Sequence, residues 1–561
     1  MVYLSNNLKS KFIYMSTEIQ CVPIWERFSP TVVKCKISQS KLVDFINHLG
    51  YGKFYNDLVR RTDDNIITVS DFSELTKFVF DYFMEMPEEE FFNEETFGVV
   101  KQIVIPKDDD GNELPQKTEY FTKTEVKKAL IEYGVIHKSL LHYLNYYSDD
   151  EKTLSGKKPE LYTPIFRDSK EEVYTFFESG IVRTNKNGSK IETYGMIKDG
   201  FIWDSQRDLK VKNIQLIPKK EKGLFEEFIE KSMSVKDTKG NWKIDSKEYE
   251  ALRTVYGYMI SNHTNHGETP IPLFVDRCTD GVHAEGGNGK SLVMNSIKYW
   301  KKTTPINGRN VSKDNRFQFS GVDRDTQFVH MDDVNSNFPF EIIYNYATGD
   351  MEIEKKGVDR FVIPMEDKPK IGVCTNYIMN DTSHSTSRRQ YIIEFGEYWN
   401  LQTKKGISVE KELGKRLFEQ FDDNDWIQFY NFGFRCLSEF LKKGVIQTDK
   451  SNYKKKQLVS QIEGDGVNDG VYEWIEAFII KHKSTFKDKM EFDKFYFNFH
   501  NHFDEDVTEK WNSTRFKQSV FQICLNNKWG FNPQKTGLKL SQKRWKVGPA
   551  GKQKEHFRIV V

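Results

Sequence analysis

Apolar residues are spaced in two different ways along this chain of 561 residues. In the first part, strand-like alternation mixes with helical spacing. Residues 64–69 (DNIITV) read as a strand and 75–83 as an amphipathic helix, and the turn-rich 106–116 (PKDDDGNELPQ) closes this region. The aspartates of that turn fail the calcium-loop spacing, so it reads as a solvated turn. Residues 118–147 follow a helical period, 162–210 alternate short strands with turns such as 185–190 (NKNGSK), and 224–262 predict two helices around the polar turn 235–243. Farther on, short wholly apolar runs alternate with helical ones, which predicts a parallel sheet with crossover helices. The strand candidates are 271–275 (IPLFV), 326–333 (TQFVHMDD), 369–377 (PKIGVCTNY) and 389–395 (RQYIIEF). A helix over 425–444, a polar stretch over 445–470, a helix over 513–530 and a basic hairpin over 542–561 follow.

Between the first of these strands and a helix running to Trp300 lies 284–294, AEGGNGKSLVM. Gly286, Gly287 and Gly289 free the backbone to take positive φ, so that successive N–H groups can face an anion without a Cβ in the way. With Glu285 and Asn288 they form a candidate phosphate loop, and the N-terminus of the helix that follows favours phosphate. Lys290 would reach the β- and γ-phosphates of a nucleotide, and the Ser291 hydroxyl would hold Mg²⁺. The usual first glycine of G-x-x-x-x-G-K-[ST] is Ala284 here, and about eight residues separate the apolar run from the loop. A structural glycine-rich turn therefore stands as the alternative. As an exposed loop residue, Lys290 is expected to contribute little to stability.

A phosphate loop needs a carboxylate at the end of a neighbouring strand, to hold the metal and the attacking water beside the γ-phosphate. Asp332 and Asp333 end an apolar strand and meet that need, Asp332 toward the metal and Asp333 toward water. Asn376 also ends a strand, where its amide could touch both phosphate and water. Arg388 and Arg389 open the next strand. They are either surface charges or a finger entering a neighbouring subunit's site.

This order of motifs resembles the superfamily 3 helicases, AAA+-like ring ATPases of viruses, phages and mobile elements. EGGNGKS, MDDV, EKKG and KIGVCTNY are more particularly similar to the primase-helicases of phages and mobile elements in Bacteroidetes-type bacteria. The resemblance spans about residues 256–445. It implies an α/β, P-loop NTPase (AAA+-like) parallel-sheet core that uses ATP and Mg²⁺. It also implies roles: Lys290 and Ser291 as the phosphate-loop pair, Asp332 and Asp333 as metal and water carboxylates, Asn376 as sensor, and Arg388 or Arg389 as finger. Lys355 or Lys356, in EIEKKGVDRF, matches the family's pore hairpin, which would touch single-stranded or forked DNA. Lys-Lys-Gly between two strand-like runs is hairpin chemistry in any case, with an exposed hairpin of ordinary lysines as the alternative. A homo-oligomeric, hexameric ring and contacts with other replication proteins are the implied assembly.

Composition sharpens this picture in three places. The net charge is only +1, yet residues 507–561 carry twelve Lys/Arg against two Asp/Glu, the electrostatics of a nucleic-acid binder or of a solvated basic surface. Helices followed by a basic ribbon suggest a winged-helix-like C-terminal domain. The six cysteines, at 21, 35, 278, 374, 436 and 524, form no C-x-x-C pair and fit a reducing cytoplasm. No run approaches a membrane span, so no membrane partner is expected.

The expected layout is an α+β N-terminal region over 1–117, a mixed region over 118–221 and a helical collar over 222–265. The ATPase core over 266–400, a lid and linker over 401–470 and a basic domain over 471–561 complete it. No spaced carboxylate pair for two metals stands out near the N-terminus, so primase activity is not predicted. An ATP-dependent DNA helicase is the expected function, with an ATP-regulated DNA-binding initiator and an AAA+-type switch acting on a protein as rivals.

Overall fold

The computed structural model describes residues 39–54, 57–63, 66–85, 100–104, 117–120, 124, 128, 165–198, 200–218, 221–264, 270–277, 286–335, 338–377, 388–463, 469–532, 545–547 and 554–561. The chain divides into two compact units, the first comprising 1–184, 189–215 and 299–302, the second 185–188, 216–298 and 303–561. The turn at 106–116 lies outside the described residues.

In the first unit, helix Gln39–His48 leads into antiparallel strands Tyr51–Phe54, Asp57–Asp63 and Ile66–Val69, and Ile202–Trp203 extends the sheet in parallel. Phe54, Val59, Ile67, Ile165, Phe201 and Trp203 fill its core. Helix Phe72–Glu85 covers the one expected over 75–83, and Glu172–Phe177, Gly180–Asn185 and Gly188–Glu192 form the expected strand-and-turn sheet. Where helix was expected from residue 118, Lys117–Tyr120 is instead a strand paired with Val100–Val104. Most of the remaining span to 147 lies outside the described residues.

The second unit opens with helices α1 (Leu224–Ser232) and α2 (Ser246–Ile260). The polar turn expected between them is a small hairpin, Ser234–Lys236 with Trp242–Ile244. Asp245 caps α2 by accepting the Glu248 N–H at 3.2 Å. The core strands are β1 (Ile271–Asp276), β2 (Thr303–Asn307), β3 (Phe328–Asp332), β4 (Lys370–Cys374) and β5 (Gln390–Phe395). They form one parallel sheet in the order β2-β3-β4-β1-β5. Every residue of the central strands β1 and β4 is buried, as expected of parallel strands covered on both faces. Strand β2 was not anticipated. It is an edge strand with one buried residue in five, so it carries no apolar run to betray it.

The short helix α3 (Lys290–Asn295) follows the glycine-rich loop and passes into a 3-10 turn over Ser296–Tyr299, so the helix expected to reach Trp300 stops short. Helix α4 (Phe340–Thr348) precedes the hairpin of Met351–Lys355 and Val358–Ile363. The long helix α5 (Asp423–Lys443) starts in a capping box between Asp422 and Asp425. Within the polar stretch 445–470, Ser451–Glu463 is a helix that buries Leu458 and Ile462 beneath its lysines.

Beyond it lie helices Val471–Lys481, Lys483–Asp488, Phe492–His500 and Ser513–Asn526. With them is a three-stranded antiparallel sheet ordered Met490–Glu491, Lys554–Phe557, Trp545–Val547. Among the described residues no helix is long and apolar enough to cross a membrane.

Helices α2 and α5 cross at Gly257, where an added Cβ would sit 2.3 Å from the carbonyl oxygen of Cys436. In an exposed helix, Gly→Ala stabilises by about 1 kcal/mol. At this crossing the sign reverses, because the backbones must separate. Gly257→Ala is expected to destabilise the second unit by about 1–3 kcal/mol in denaturant unfolding.

Candidate functional site

Strand β1 ends at Asp276, and the chain is described again from Gly286, with Ala284 and Glu285 outside the described residues. Gly286, Gly287 and Gly289 take φ of 74°, 75° and 96°, the left-handed conformation that their spacing suggested. At Gly289 space is as restrictive as φ, since a Cβ would lie 2.6 Å from the Phe228 ring of α1. The loop is tied from two further directions. Asn400 Nδ2 donates to the Gly286 carbonyl at 2.9 Å, and Asn288 Nδ2 donates to Asp276 Oδ1 at 3.0 Å.

Lys290 is not the exposed loop residue expected. Only 5 % of its side chain is exposed, and its ammonium lies 2.5 Å from Asp276 Oδ1. It also donates to Asn376 Oδ1 at 2.9 Å. The lysine opens a helix packed on the sheet, and that places its ammonium between the carboxyl ends of β1 and β4. Asp276 is the residue that the sequence reading missed. The signal was available, because it ends an apolar strand as Asp332 and Asn376 do. Asp276 Oδ2 and Asn288 Oδ1 are buried with no hydrogen-bond partner of their own.

Beside this group, Ser291 Oγ donates to Asp332 Oδ1 at 2.9 Å. Asp333 takes φ 56°, uncommon for a residue with a Cβ, and its N–H donates to Asp332 Oδ1 at 3.1 Å. Its carboxylate meets Arg309 Nε at 2.7 Å, a partner supplied by the turn after β2. Thr375 Oγ1 donates to the Val334 carbonyl at 2.6 Å, joining the end of β4 to the loop after β3.

Lys290, Ser291, Asp332, Asp333 and Asn376 are thus brought together with the three glycines and Asn288. Arg388 and Arg389, expected to open a strand, lie instead in helical backbone just before β5, Arg388 exposed and the Arg389 guanidinium 5.1 Å from the ring of Tyr344 on α4. Lys355 and Lys356 stand on the separate hairpin. Lys355 is ion-paired with Asp323, while Lys356 is exposed at the turn completed by Gly357, whose φ is 75°.

Behind Asp332, His330 is buried on β3 with its Nδ1 2.9 Å from Asn295 Oδ1. Burial pushes its pKa down to about 4, against the opposing pull of Asp332. The folded protein therefore keeps the ring neutral where the unfolded chain protonates it, near pH 6.5. The resulting stability is present above pH 6.5 and is lost as pH falls toward 4. The difference in unfolding free energy between the parent and His330→Gln should change across that window by on the order of 3 kcal/mol, the parent losing more.

No protein-family model matches the chain, and no curated protein matches it. Among solved structures, the C-terminal region of NrS-1 in its A-form apo state is 14% identical, with a TM-score of 0.32, covering 79% of this chain and 92% of that one. JCV helicase bound to a small molecule is 11% identical, TM-score 0.19, over 44% and 73% of the two chains. Drosophila ORC bound to DNA is 12% identical, TM-score 0.17, over 63% and 93%. Such TM-scores do not establish a shared fold.

The ion pair of Lys290 and Asp276 has a consequence for mutagenesis. Lys290→Ala leaves a buried carboxylate without its counter-charge and should destabilise the second unit by roughly 3–5 kcal/mol. Lys290→Ala combined with Asp276→Ala should regain most of that loss, as read by a denaturant double-mutant cycle.

Proposed function

We propose that the chain is an ATP-dependent, ring-forming DNA helicase of the superfamily 3, AAA+-like kind, acting in replication of a phage or mobile element and moving on single-stranded DNA. One observation carries the nucleotide part. Lys290, Ser291, Asp332 and Asn376 converge through hydrogen bonds at the carboxyl ends of β1, β3 and β4, beside three glycines at positive φ. Open α/β sheets place their ligands at such strand ends. The interposition of β4 between β1 and β3, giving the order 5-1-4-3-2 from the opposite edge, supports an AAA+-like core.

The donor set fits a Mg²⁺-nucleotide. The loop N–H groups and Lys290 would hold phosphate, and Ser291 with Asp332 would hold Mg²⁺, whose charge would offset that of the phosphates. Asn376 shares the Lys290 ammonium, which supports a role for it as γ-phosphate sensor. Asp333 would orient water, with Arg309 fixing its carboxylate. Arg388, exposed at the mouth of edge strand β5, is the better candidate for a finger acting on a neighbouring subunit, since Arg389 packs on Tyr344.

The exposed Lys356 is the hairpin residue suited to DNA phosphate, while Lys355 is engaged with Asp323. In the C-terminal domain, strand Met490–Glu491 followed by helices Phe492–His500 and Ser513–Asn526 and by the ribbon of Trp545–Val547 with Lys554–Phe557, which pairs back onto Met490–Glu491, supports a winged helix. Its helix Ser513–Asn526 would be the one facing DNA. Its two basic residues both serve the fold, Arg515 donating to the Ile462 carbonyl and Lys517 to Glu555. Contact there would fall to exposed neutral residues such as Thr514, Gln518 and Gln522.

The purified protein should hydrolyse Mg-ATP faster with single-stranded DNA and separate a tailed duplex. The stable Lys290→Ala/Asp276→Ala protein should lose hydrolysis by at least ~10²-fold. Lys356→Ala should lose the stimulation and the strand separation, and lower the slope of log affinity against log salt by about 0.7. Hydrolysis without strand separation under any fork geometry would overturn the helicase reading and favour an ATP-regulated initiator or switch.

A further inference from the structure

Three ligand atoms of mixed chemistry converge behind the Ser291–Asp332 hydrogen bond. A ring nitrogen of His330, Cys374 Sγ and a carboxylate oxygen of Asp332 all lie within 4.8 Å of one another. His330 and Cys374 come from the adjacent strands β3 and β4, and each is 1 % exposed. The Cys374 thiol faces both Asp332 and the Ser291 hydroxyl.

The hydrogen bonding of His330 points to an ion. Its Nδ1 lies 2.9 Å from Asn295 Oδ1, which can only accept, so the ring proton sits on Nδ1 and the lone pair on Nε2. Nε2 is buried and has no hydrogen-bond partner. Its charged neighbour is Asp332 Oδ1 at 3.9 Å, a second acceptor. The buried Nε2 lone pair faces a half-exposed carboxylate oxygen that already accepts from Ser291 and the Asp333 N–H, and a cation between the two would give Nε2 the partner it lacks. The Asn295 contact would act as the partner that typically orients a metal-bound imidazole.

The ligand set selects the ion. Sulfur, imidazole nitrogen and one carboxylate suit Zn²⁺ and its soft neighbours, whereas Mg²⁺ takes oxygen ligands in octahedral geometry. With metal–ligand lengths of about 2.0–2.3 Å, tetrahedral ligand atoms stand roughly 3.5 Å apart. The side chains would close by about 1 Å, which small rotamer adjustments allow.

We propose that His330, Asp332 and Cys374 form a site for Zn²⁺ or a chemically similar transition-metal ion, whose occupancy draws Asp332 away from Ser291 and shuts down hydrolysis. On binding, the S–H bond of Cys374 breaks, the metal–sulfur bond forms, and one proton leaves to solvent. The site stands on its own ligands, while the shut-down rests on the Mg²⁺-nucleotide reading.

Co²⁺ titrated into the nucleotide-free protein separates the two. One equivalent is expected to produce thiolate-to-Co²⁺ charge-transfer absorption. In Cys374→Ser that absorption should disappear, and in Cys374→Ala, which keeps the position apolar should the serine misfold, it should disappear as well. His330→Gln should keep the absorption but bind Co²⁺ at least about tenfold more weakly, as loss of one ligand of three implies. No absorption in the parent, or the same absorption at the same affinity in a folded Cys374 variant, overturns the site. In excess Mg²⁺, Zn²⁺ should slow ATP hydrolysis by the parent, and Cys374→Ala should need at least about tenfold more Zn²⁺ for the same slowing. Equal Zn²⁺ sensitivity overturns the shut-down and leaves the Co²⁺ result to decide the site. Should the parent hydrolyse no ATP at all, the nucleotide reading fails while the Co²⁺ result still judges the site.

Discussion

A lysine ammonium held in the interior against an aspartate organises the centre of this molecule. Lys290 and Asp276 are nearly closed off from solvent, and Asn288 and Asn376 supply the remaining hydrogen bonds. Removing two charges from water costs several kcal/mol per ion, so such a pair is not retained for its net contribution to stability. What it does is fix position. The ammonium is held between two strand ends, and any anion approaching the glycine loop meets it without the entropy loss of ordering a free lysine.

The pair can form only because the sheet has its particular order. β1 brings Asp276, β4 brings Asn376, and the two strands are neighbours although about a hundred residues of chain separate them. β3 lies on the other side of β4 and carries Asp332 within hydrogen-bond reach of Ser291. The helices behind the sheet hold this arrangement. Phe228 of α1 closes against Gly289, and the buried Glu248 of α2 accepts from the Glu394 N–H of β5 at 2.7 Å. Glu248 also takes Thr448 and Lys450 from the segment after α5, so one carboxylate joins three parts of the unit.

The same geometry sorts residues of like charge into different tasks. Lys355 and Lys356 are adjacent in sequence, yet one is committed to Asp323 and the other stands free of the hairpin surface. Arg388 and Arg389 divide in the same manner, and so do Asp332, which accepts from Ser291, and Asp333, which meets Arg309.

Much of this was legible in the chain itself. Wholly apolar runs ending in Asp332 and Asn376 marked two central strands and their polar ends, because parallel strands buried on both faces leave no alternation. Positive φ at Gly286, Gly287 and Gly289 followed from residue type, and the hairpin at Lys356-Gly357 from the turn chemistry of glycine. Strand β2, the helix Ser451–Glu463 and the roles of Arg309 and His330 were not legible, whereas Asp276, at the end of an apolar strand, was legible and overlooked. An edge strand with one buried residue, or a helix whose lysines hide a narrow apolar seam, produces no periodic signal above its polar background. A side chain's partner across more than eighty residues, as Asn376 is to Lys290, depends on which strands pair, and long-range pairing is settled by packing of the whole sheet. Local chemistry therefore named residues that the fold gathers at the strand ends, and only the tertiary structure decided that their lysine is buried, with which carboxylate it pairs, and which residue of each charged pair is left to face outward.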